Sequence, residues 1–266
     1  MLNKVIRVFP RRNKWTPDDN LSFIGYPPLI RPDDIPVHIS VTFTQDKELA
    51  EMLYHAWSEY YSDVSIGGPA FDDPGGEFIP GRYIKQGVVI TSRGCPNYCP
   101  WCFVPKRESV IRELPIKNGW IIQDNNLLAC NKNHIIRVFD MLRHQPHPAE
   151  FKGGFDSRLL RPWHIDLLKS IKLNELWFAC DTKEQLPTLE KAADLLKDFP
   201  RSKKRCYVMV GYDGESLDDA LLRLRSVYQL GFDPFCQLYQ SAENIEYSFE
   251  WKDFARYWSR PAIYRV

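Results

Sequence analysis

Three thiols fall within one short stretch, Cys95, Cys99 and Cys102, at the spacing C-x3-C-x2-C. An apolar run, Gly87-Val88-Val89-Ile90-Thr91, leads straight into them and reads as a β-strand. Three thiolates in one turn can hold three corners of a cubic iron–sulfur cluster, with no protein ligand on the fourth iron. Two other readings stand beside it: a zinc site, and ordinary core thiols. Structural zinc takes four ligands, and the nearest candidates downstream, Cys130 and His134, are far along the chain. The six histidines show no metal-ligand spacing of their own.

Other residues able to do chemistry recur where apolar runs end. Asp124-Asn125-Asn126 follows one run and is either a turn or a shelf for a ligand. Phe155-Asp156-Ser157-Arg158 ends the next. Arg158 is either a carboxylate-binding fork or half of a surface salt bridge. Asp181 closes the apolar run Leu176-Trp177-Phe178-Ala179-Cys180. An acid there is expensive to bury unpaired, so it meets a ligand or caps the following helix. Val210 and Gly211 end a fifth run, and Gln237 and Tyr239 share one face of a sixth.

Such residues need a scaffold that brings distant segments together. Strand patterns begin near Val88, Trp120, Ala149, Asn174, Arg205 and Pro234, about thirty residues apart, with helical patterns at 134–144, 162–171, 185–198 and 216–230 between them. The alternation predicts an α/β fold with a parallel barrel. A full eightfold barrel takes ~250 residues, and the chain from Val88 onward has room for six units. The expectation is a partial (β/α)6 barrel over 85–266, ended by a closing helix at 250–260 that carries Trp251, Phe254 and Trp258. Ligands in such folds sit at the C-terminal strand ends, where all the residues above lie.

Upstream, strands at 4–9, 37–44 and 63–66, an amphipathic helix at 46–61 and a helix start at Thr16-Pro17-Asp18-Asp19 predict a small α/β domain over 1–84, a truncated Rossmann-like appendage. It ends on Gly67-Gly68, which is either a tight turn or a place of close backbone approach. No G-x-G-x-x-G is present, so a nicotinamide site is unsupported.

The stretch 91–105 resembles the radical S-adenosylmethionine (SAM) enzymes, whose signature is C-x3-C-x-aromatic-C, with Trp101 in the aromatic slot. The resemblance implies a 4Fe–4S cluster held by Cys95, Cys99 and Cys102. Its open iron would chelate SAM, and reductive cleavage would yield a 5′-deoxyadenosyl radical that takes hydrogen from a substrate. It also implies a six-unit partial barrel and an electron donor such as flavodoxin or ferredoxin. Where the family often has Gly-Gly-Glu, this chain has Asp124-Asn125-Asn126, similar to the cobalamin-type and methylthiotransferase-type branch. A Gly153-Gly154 pair occurs one strand later. By the same resemblance Arg158 would fork onto the SAM carboxylate and Asp181 would accept the ribose hydroxyls. The adenine motif G-x-I-x-G-x-x-E is met only in part, with Tyr207, Met209, Gly211 and a late Glu215. Only backbone contact at Val210 and Gly211 carries over.

A second reading is a cobalamin-dependent radical methyltransferase, because 1–84 resembles part of a cobalamin-binding domain. No D-x-H-x-x-G supplies a cobalt ligand. A third is a non-catalytic, metal-stabilised binding module. Neither the substrate nor the reaction that follows the radical is readable.

Composition narrows the rest. Thirty-five basic and 34 acidic residues leave a net charge of +1, which gives no electrostatic footprint for nucleic acid. No run of ~18 apolar residues is present, so no membrane span is expected. Met1-Leu2-Asn3-Lys4 do not build a signal peptide. Seven cysteines, an odd number, suit a reducing cytoplasm. Residues 1–94 contain none of them. Cys130, Cys180, Cys206 and Cys236 fall on different barrel units. Cys180 is expected at the end of its strand and Cys206 near the start of its own, a strand length apart, so one cluster per chain is expected.

Overall fold

Apolar runs rich in Val, Ile and Phe become strands, and the amphipathic stretches between them become helices. A computed structural model describes residues 4–73, 76–241 and 245–265. The expectation read from Met1-Leu2-Asn3-Lys4 falls mainly on residues outside this set. The chain divides into two compact units, Met1–Val88 and Val89–Val266.

In the first unit, strands β1 (Ile6–Phe9), β2 (Ser22–Ile24) and β3 (Val37–Ser40), helix α1 (Lys47–Ser58) and strand β4 (Val64–Gly67) form a parallel sheet of order β2-β1-β3-β4. Ile6, Val8, Val37 and Ile39 of the sheet and Ala50, Leu53 and Trp57 of α1 make its core. The indole of Trp57 donates to the Gly25 carbonyl at 3.0 Å. The helix expected at Thr16 does not form. Asn13 accepts from the Trp15 backbone at 2.7 Å, Thr16 Oγ1 accepts from the Asn13 N–H at 3.0 Å, and Asp19 accepts from the Leu21 N–H at 3.0 Å. These local side-chain bonds satisfy the backbone in turns instead of a helix, and Asp19 also pairs with the buried Arg7.

The second sheet begins with β5 (Val88–Val89). A hairpin follows, β6 (Ser92–Arg93), α2 (Val104–Arg107) and β7 (Arg112–Glu113), with β6 and β7 antiparallel. Then come β8 (Ile121–Ile122), α3 (Lys132–Arg143), β9 (Ala149–Phe155), α4 (Pro162–Lys169), β10 (Leu173–Ala179), α5 (Leu186–Leu195), β11 (Lys204–Val210), α6 (Leu217–Gln229), β12 (Asp233–Leu238), α7 (Phe249–Trp258) and α8 (Pro261–Tyr264). Strand order is β5-β8-β9-β10-β11-β12, each strand beside the next in sequence. The pairs from β8 to β12 are parallel. The sheet is open: β5 and β12 do not meet. The strand order runs one way across the sheet without reversal, and a helix follows most of the strands.

The expected closing helix forms as α7 and packs along β12. Ser259 Oγ donates to the Cys236 carbonyl at 3.0 Å and the Tyr264 hydroxyl donates to the Pro234 carbonyl at 2.8 Å. Among the described residues no helix is long and apolar enough to cross a membrane.

Helix α4 starts on a device with a measurable consequence. His164 is 2 % exposed, and its Nδ1 accepts the Arg161 backbone N–H at 2.9 Å. Burial, with the Arg161 charge nearby, pushes the imidazole down from 6.5 to about 4. The unfolded chain therefore binds this proton more readily than the folded one. Stability should be complete above pH 6.5 and fall as pH drops from there towards 4, by ~3 kcal/mol for this group. Urea unfolding across that range should show the loss, and His164→Gln, which keeps an acceptor but does not titrate, should flatten it. An unchanged slope in the variant would assign the acid lability elsewhere.

Candidate cluster and cofactor site

The cysteine loop hangs between β5 and β7, and its path is set by backbone contacts. Gly94 has φ +86, and a Cβ there would stand 2.0 Å from the Val110 carbonyl oxygen. Only glycine lets the two arms of the hairpin approach so closely. The Cys102 N–H donates to the Cys99 carbonyl at 3.0 Å, closing the turn that carries both thiols. Cys95, Cys99 and Cys102 are each half-buried and free of disulfides. Burial, then the neighbouring Cys102 and Cys95 thiols, push the Cys99 thiol above its ordinary range, while Arg158 acts the other way. Burial does the same to Cys102, offset in part by the Val104 N–H. The three sulfurs are thus in electrostatic contact.

They are not drawn onto one point. Among the described residues, no group of three or more His, Cys, Asp or Glu side chains is gathered as a single metal ion would require. A tetrahedral site with Zn–S bonds of ~2.3 Å needs sulfurs ~3.8 Å apart. A cubic cluster takes each thiolate on a different iron, so its sulfurs are spread more widely. Three neighbouring thiols on one loop suit that donor set. An amide also points at one of them: Asn126, 3 % exposed, directs Nδ2 at Cys95 Sγ from 3.5 Å, and its Oδ1 is buried without a partner. Hydrogen bonds to cluster sulfurs tune such sites.

The strand ends place the remaining residues. Asp124, 2 % exposed, lies after β8 and turns towards the start of the cysteine loop. It accepts from the Thr91 N–H at 2.6 Å, Thr91 Oγ1 at 2.5 Å and Ser92 Oγ at 2.7 Å. Asn125 Oδ1 accepts from the Gly94 N–H at 3.0 Å. Asp124 and Asn125 therefore brace the cysteine loop, and Asn126 touches its first sulfur. Burial raises the Asp124 carboxyl above its usual range against these hydrogen bonds.

Gly153 lies in β9 with the Asp124 backbone against it; a Cβ there would be 1.7 Å from the Asp124 carbonyl oxygen. The glycine pair thus serves a close approach of two backbones. Gly153→Ala should cost about 3 kcal/mol of stability, since a backbone atom cannot step aside as a side chain would. A variant that melts within a few degrees of wild type would show that the two strands have room to part.

Arg158, after β9, grips Asp156 with Nε and Nη2, both at 2.8 Å. Asp156 also accepts from Asn97 Nδ2 at 2.9 Å. Burial pushes Asp156 up, but the bonds from Arg158 and Asn97 together hold it below the usual carboxylate range. Asp181, after β10, accepts from the Met209 N–H at 3.0 Å, and the nearby Trp101 indole also favours its charged form. Burial raises its carboxyl. Trp101 in turn packs edge-on against Tyr212 at 5.3 Å, and Tyr212 against Tyr239 at 4.9 Å. An aromatic arc therefore runs from the cysteine loop to the end of β12, while Gln237 is exposed.

Backbone groups at the end of β11 are already engaged. The Gly211 N–H donates to Glu215 at 3.0 Å, the Gly211 carbonyl accepts from the Tyr247 hydroxyl at 3.2 Å, and the Val210 carbonyl accepts from the Tyr239 N–H at 2.9 Å. Glu215 also holds the buried Arg223 at 2.5 Å.

Two features were missed from sequence. On the half-buried face of the sheet, Glu175 pairs with Lys152 and with Arg205 at 3.5 Å, and accepts from the Trp177 indole at 2.9 Å. Trp177 stacks on Tyr207 at 4.2 Å. Charges at alternate positions of strands expected to be covered on both faces were the available signal. The second concerns the other thiols. Cys206 pairs in register with Phe178, two residues before Cys180, and the two thiols are in electrostatic contact. They are neighbours rather than a strand length apart, because β11 is staggered along β10, Lys204 at its start pairing with Leu176. Burial pushes Cys180 and Cys236 up to about 12, and Cys130 to about 11.

No protein-family model matches this chain, and no curated protein matches it either.

Proposed function

We propose that the chain is a radical SAM enzyme that holds one 4Fe–4S cluster on Cys95, Cys99 and Cys102. One observation carries the reading: the loop bearing these thiols leaves the first strand of a sequentially ordered sheet, and Asn126, Asp156, Arg158 and Asp181 converge on it from the following strand ends, Asp181 beside Trp101 of the loop. The open sheet is read as the six-unit partial barrel. When bound, the cluster would supply the electron that cleaves SAM to a 5′-deoxyadenosyl radical.

The chain's own groups then divide the work. A carboxylate has about four lone-pair sites, so Asp181 keeps capacity for ribose hydroxyls beyond Met209 and Trp101. Asp156 orients the Arg158 guanidinium through Nε and Nη2, which leaves Nη1 for the SAM carboxylate. The end of β11 meets adenine by packing, since the carbonyl of Val210 and both polar groups of Gly211 are taken. Trp177, Tyr207 and the charges around Glu175 would face the substrate. The reductant would be a flavodoxin- or ferredoxin-type donor in a reducing cytoplasm. Anaerobic reconstitution should give about four irons and four sulfides per chain. A stoichiometric zinc content with no sulfide would favour a metal-stabilised binding module instead.

A second reading, a cobalamin-dependent radical methyltransferase, draws on the first unit. Its order β2-β1-β3-β4 is that of flavodoxin-like sheets, which bind cofactors at the switch between β1 and β3. A corrinoid spectrum that stays with the protein after gel filtration would favour it, and its absence would leave the simpler enzyme.

A further inference from the structure

Behind the cysteine hairpin lies a cavity of about 630 Å³, lined by Glu113, Leu114, Pro115, Ile116, His134 and Arg137. It takes no part in the function proposed above. His134 is fully buried in the first turn of α3, and neither ring nitrogen has a hydrogen-bond partner. A neutral imidazole carries one donor and one acceptor, so a ring left unsatisfied inside the protein is an exception that asks for a partner. Glu113 Oε2 stands 3.6 Å from His134 Nδ1, just beyond bonding distance. The other carboxylate oxygen, Oε1, is committed to the Asn131 backbone at 2.8 Å and to the Asn131 side chain. This fixes the carboxylate with Oε2 free. Arg137 follows His134 by one helical turn, on the same face. It is exposed, with no ion pair among the described residues. Leu114 and Ile116 are half-buried and supply an apolar wall.

We infer that this cavity binds an apolar amino-acid unit with a free carboxylate. The guanidinium of Arg137 takes the carboxylate as a fork. Glu113 Oε2 takes the ligand's ammonium or amide N–H, and His134 steadies that oxygen from behind. The side chain lies on Leu114-Pro115-Ile116. Opposite charges lining one cavity with an apolar wall match a ligand of that pattern and disfavour a plain anion or cation, each of which would meet one like charge. The volume falls in the range of small-molecule sites. Such a unit comes from two sources, the free amino acid or the C-terminal residue of a peptide.

Calorimetric titration of the full chain with L-leucine, N-acetyl-L-leucine and L-leucinamide tests this. At least one of the first two should bind saturably, and leucinamide, without the carboxylate, should bind at least about tenfold more weakly. Tighter binding of leucine indicates the free amino acid; tighter binding of the acetylated form indicates a peptide end. Arg137→Gln and Glu113→Gln should each weaken the better ligand by about tenfold or more, with circular dichroism unchanged. No binding of either at concentrations up to about 10 mM overturns the inference, as does binding that is indifferent to both substitutions. Iron content is unaffected in either case, so failure here is separable from failure of the cluster assignment.

Discussion

Cys99→Ala is expected to give a folded, colourless chain that retains little iron after anaerobic reconstitution and makes no 5′-deoxyadenosine. The expectation follows from the loop. Its course is set by the Gly94–Val110 approach, the β6–β7 pairing and the Asp124 brace, none of which uses the Cys99 side chain. Removing one half-buried sulfur therefore leaves the scaffold intact and takes away one of the three proposed ligands. Three of the four other thiols cannot step in. Cys180, Cys206 and Cys236 are buried in the sheet, and burial holds their thiols well above the ordinary range. Cys180→Ala serves as the control and should keep its full iron. Iron retained by Cys99→Ala and lost by Cys180→Ala would place the metal elsewhere.

Asp124→Ala carries the second large effect, and it is structural. The carboxylate is the acceptor for the Thr91 N–H and for the hydroxyls of Thr91 and Ser92, all buried. Hydroxyls can turn to another acceptor, but the Thr91 N–H cannot. With ~1–3 kcal/mol for each buried donor left unpaired, the stranded Thr91 N–H alone should cost about 2 kcal/mol in urea unfolding, and more where a hydroxyl finds no new acceptor. Because Thr91 and Ser92 begin the cysteine loop, the surviving folded protein should also bind iron poorly. Asp124→Asn should lose less, since it keeps one acceptor oxygen. Equal stability of the alanine variant and wild type would show that the loop start finds other acceptors.

The alternation of strand and helix was legible because each strand is a short β-branched or aromatic run at a regular interval. The six starts read near Val88 to Pro234 agree with the six strands to within a residue or so. The cysteine loop was legible for the same kind of reason: its chemistry lies in local spacing. Curling of the sheet into a partial barrel is an expectation; the sheet itself is open, with its strands in sequential order. The Asp124 brace was not legible. A polar residue at a strand end looks the same whether it faces a ligand or a neighbouring backbone, and the choice depends on where Thr91 and Ser92 sit. Arg158 posed the same ambiguity, and the competing partner, Asp156, stood two residues away. The nearness of Cys180 and Cys206 follows from the stagger between β10 and β11, which no single strand's pattern records. Nor does a single strand show that Lys152, Glu175 and Arg205 meet across three of them.

The most direct measurement is on the unaltered chain. Reconstituted with iron and sulfide without oxygen, then given SAM and dithionite, it should form 5′-deoxyadenosine, detected by liquid chromatography and mass spectrometry. Formation should require reductant and disappear in the Cys95/Cys99/Cys102 triple alanine variant. A chain that carries about four irons yet leaves SAM uncleaved, or one whose triple variant cleaves it equally well, would contradict the account.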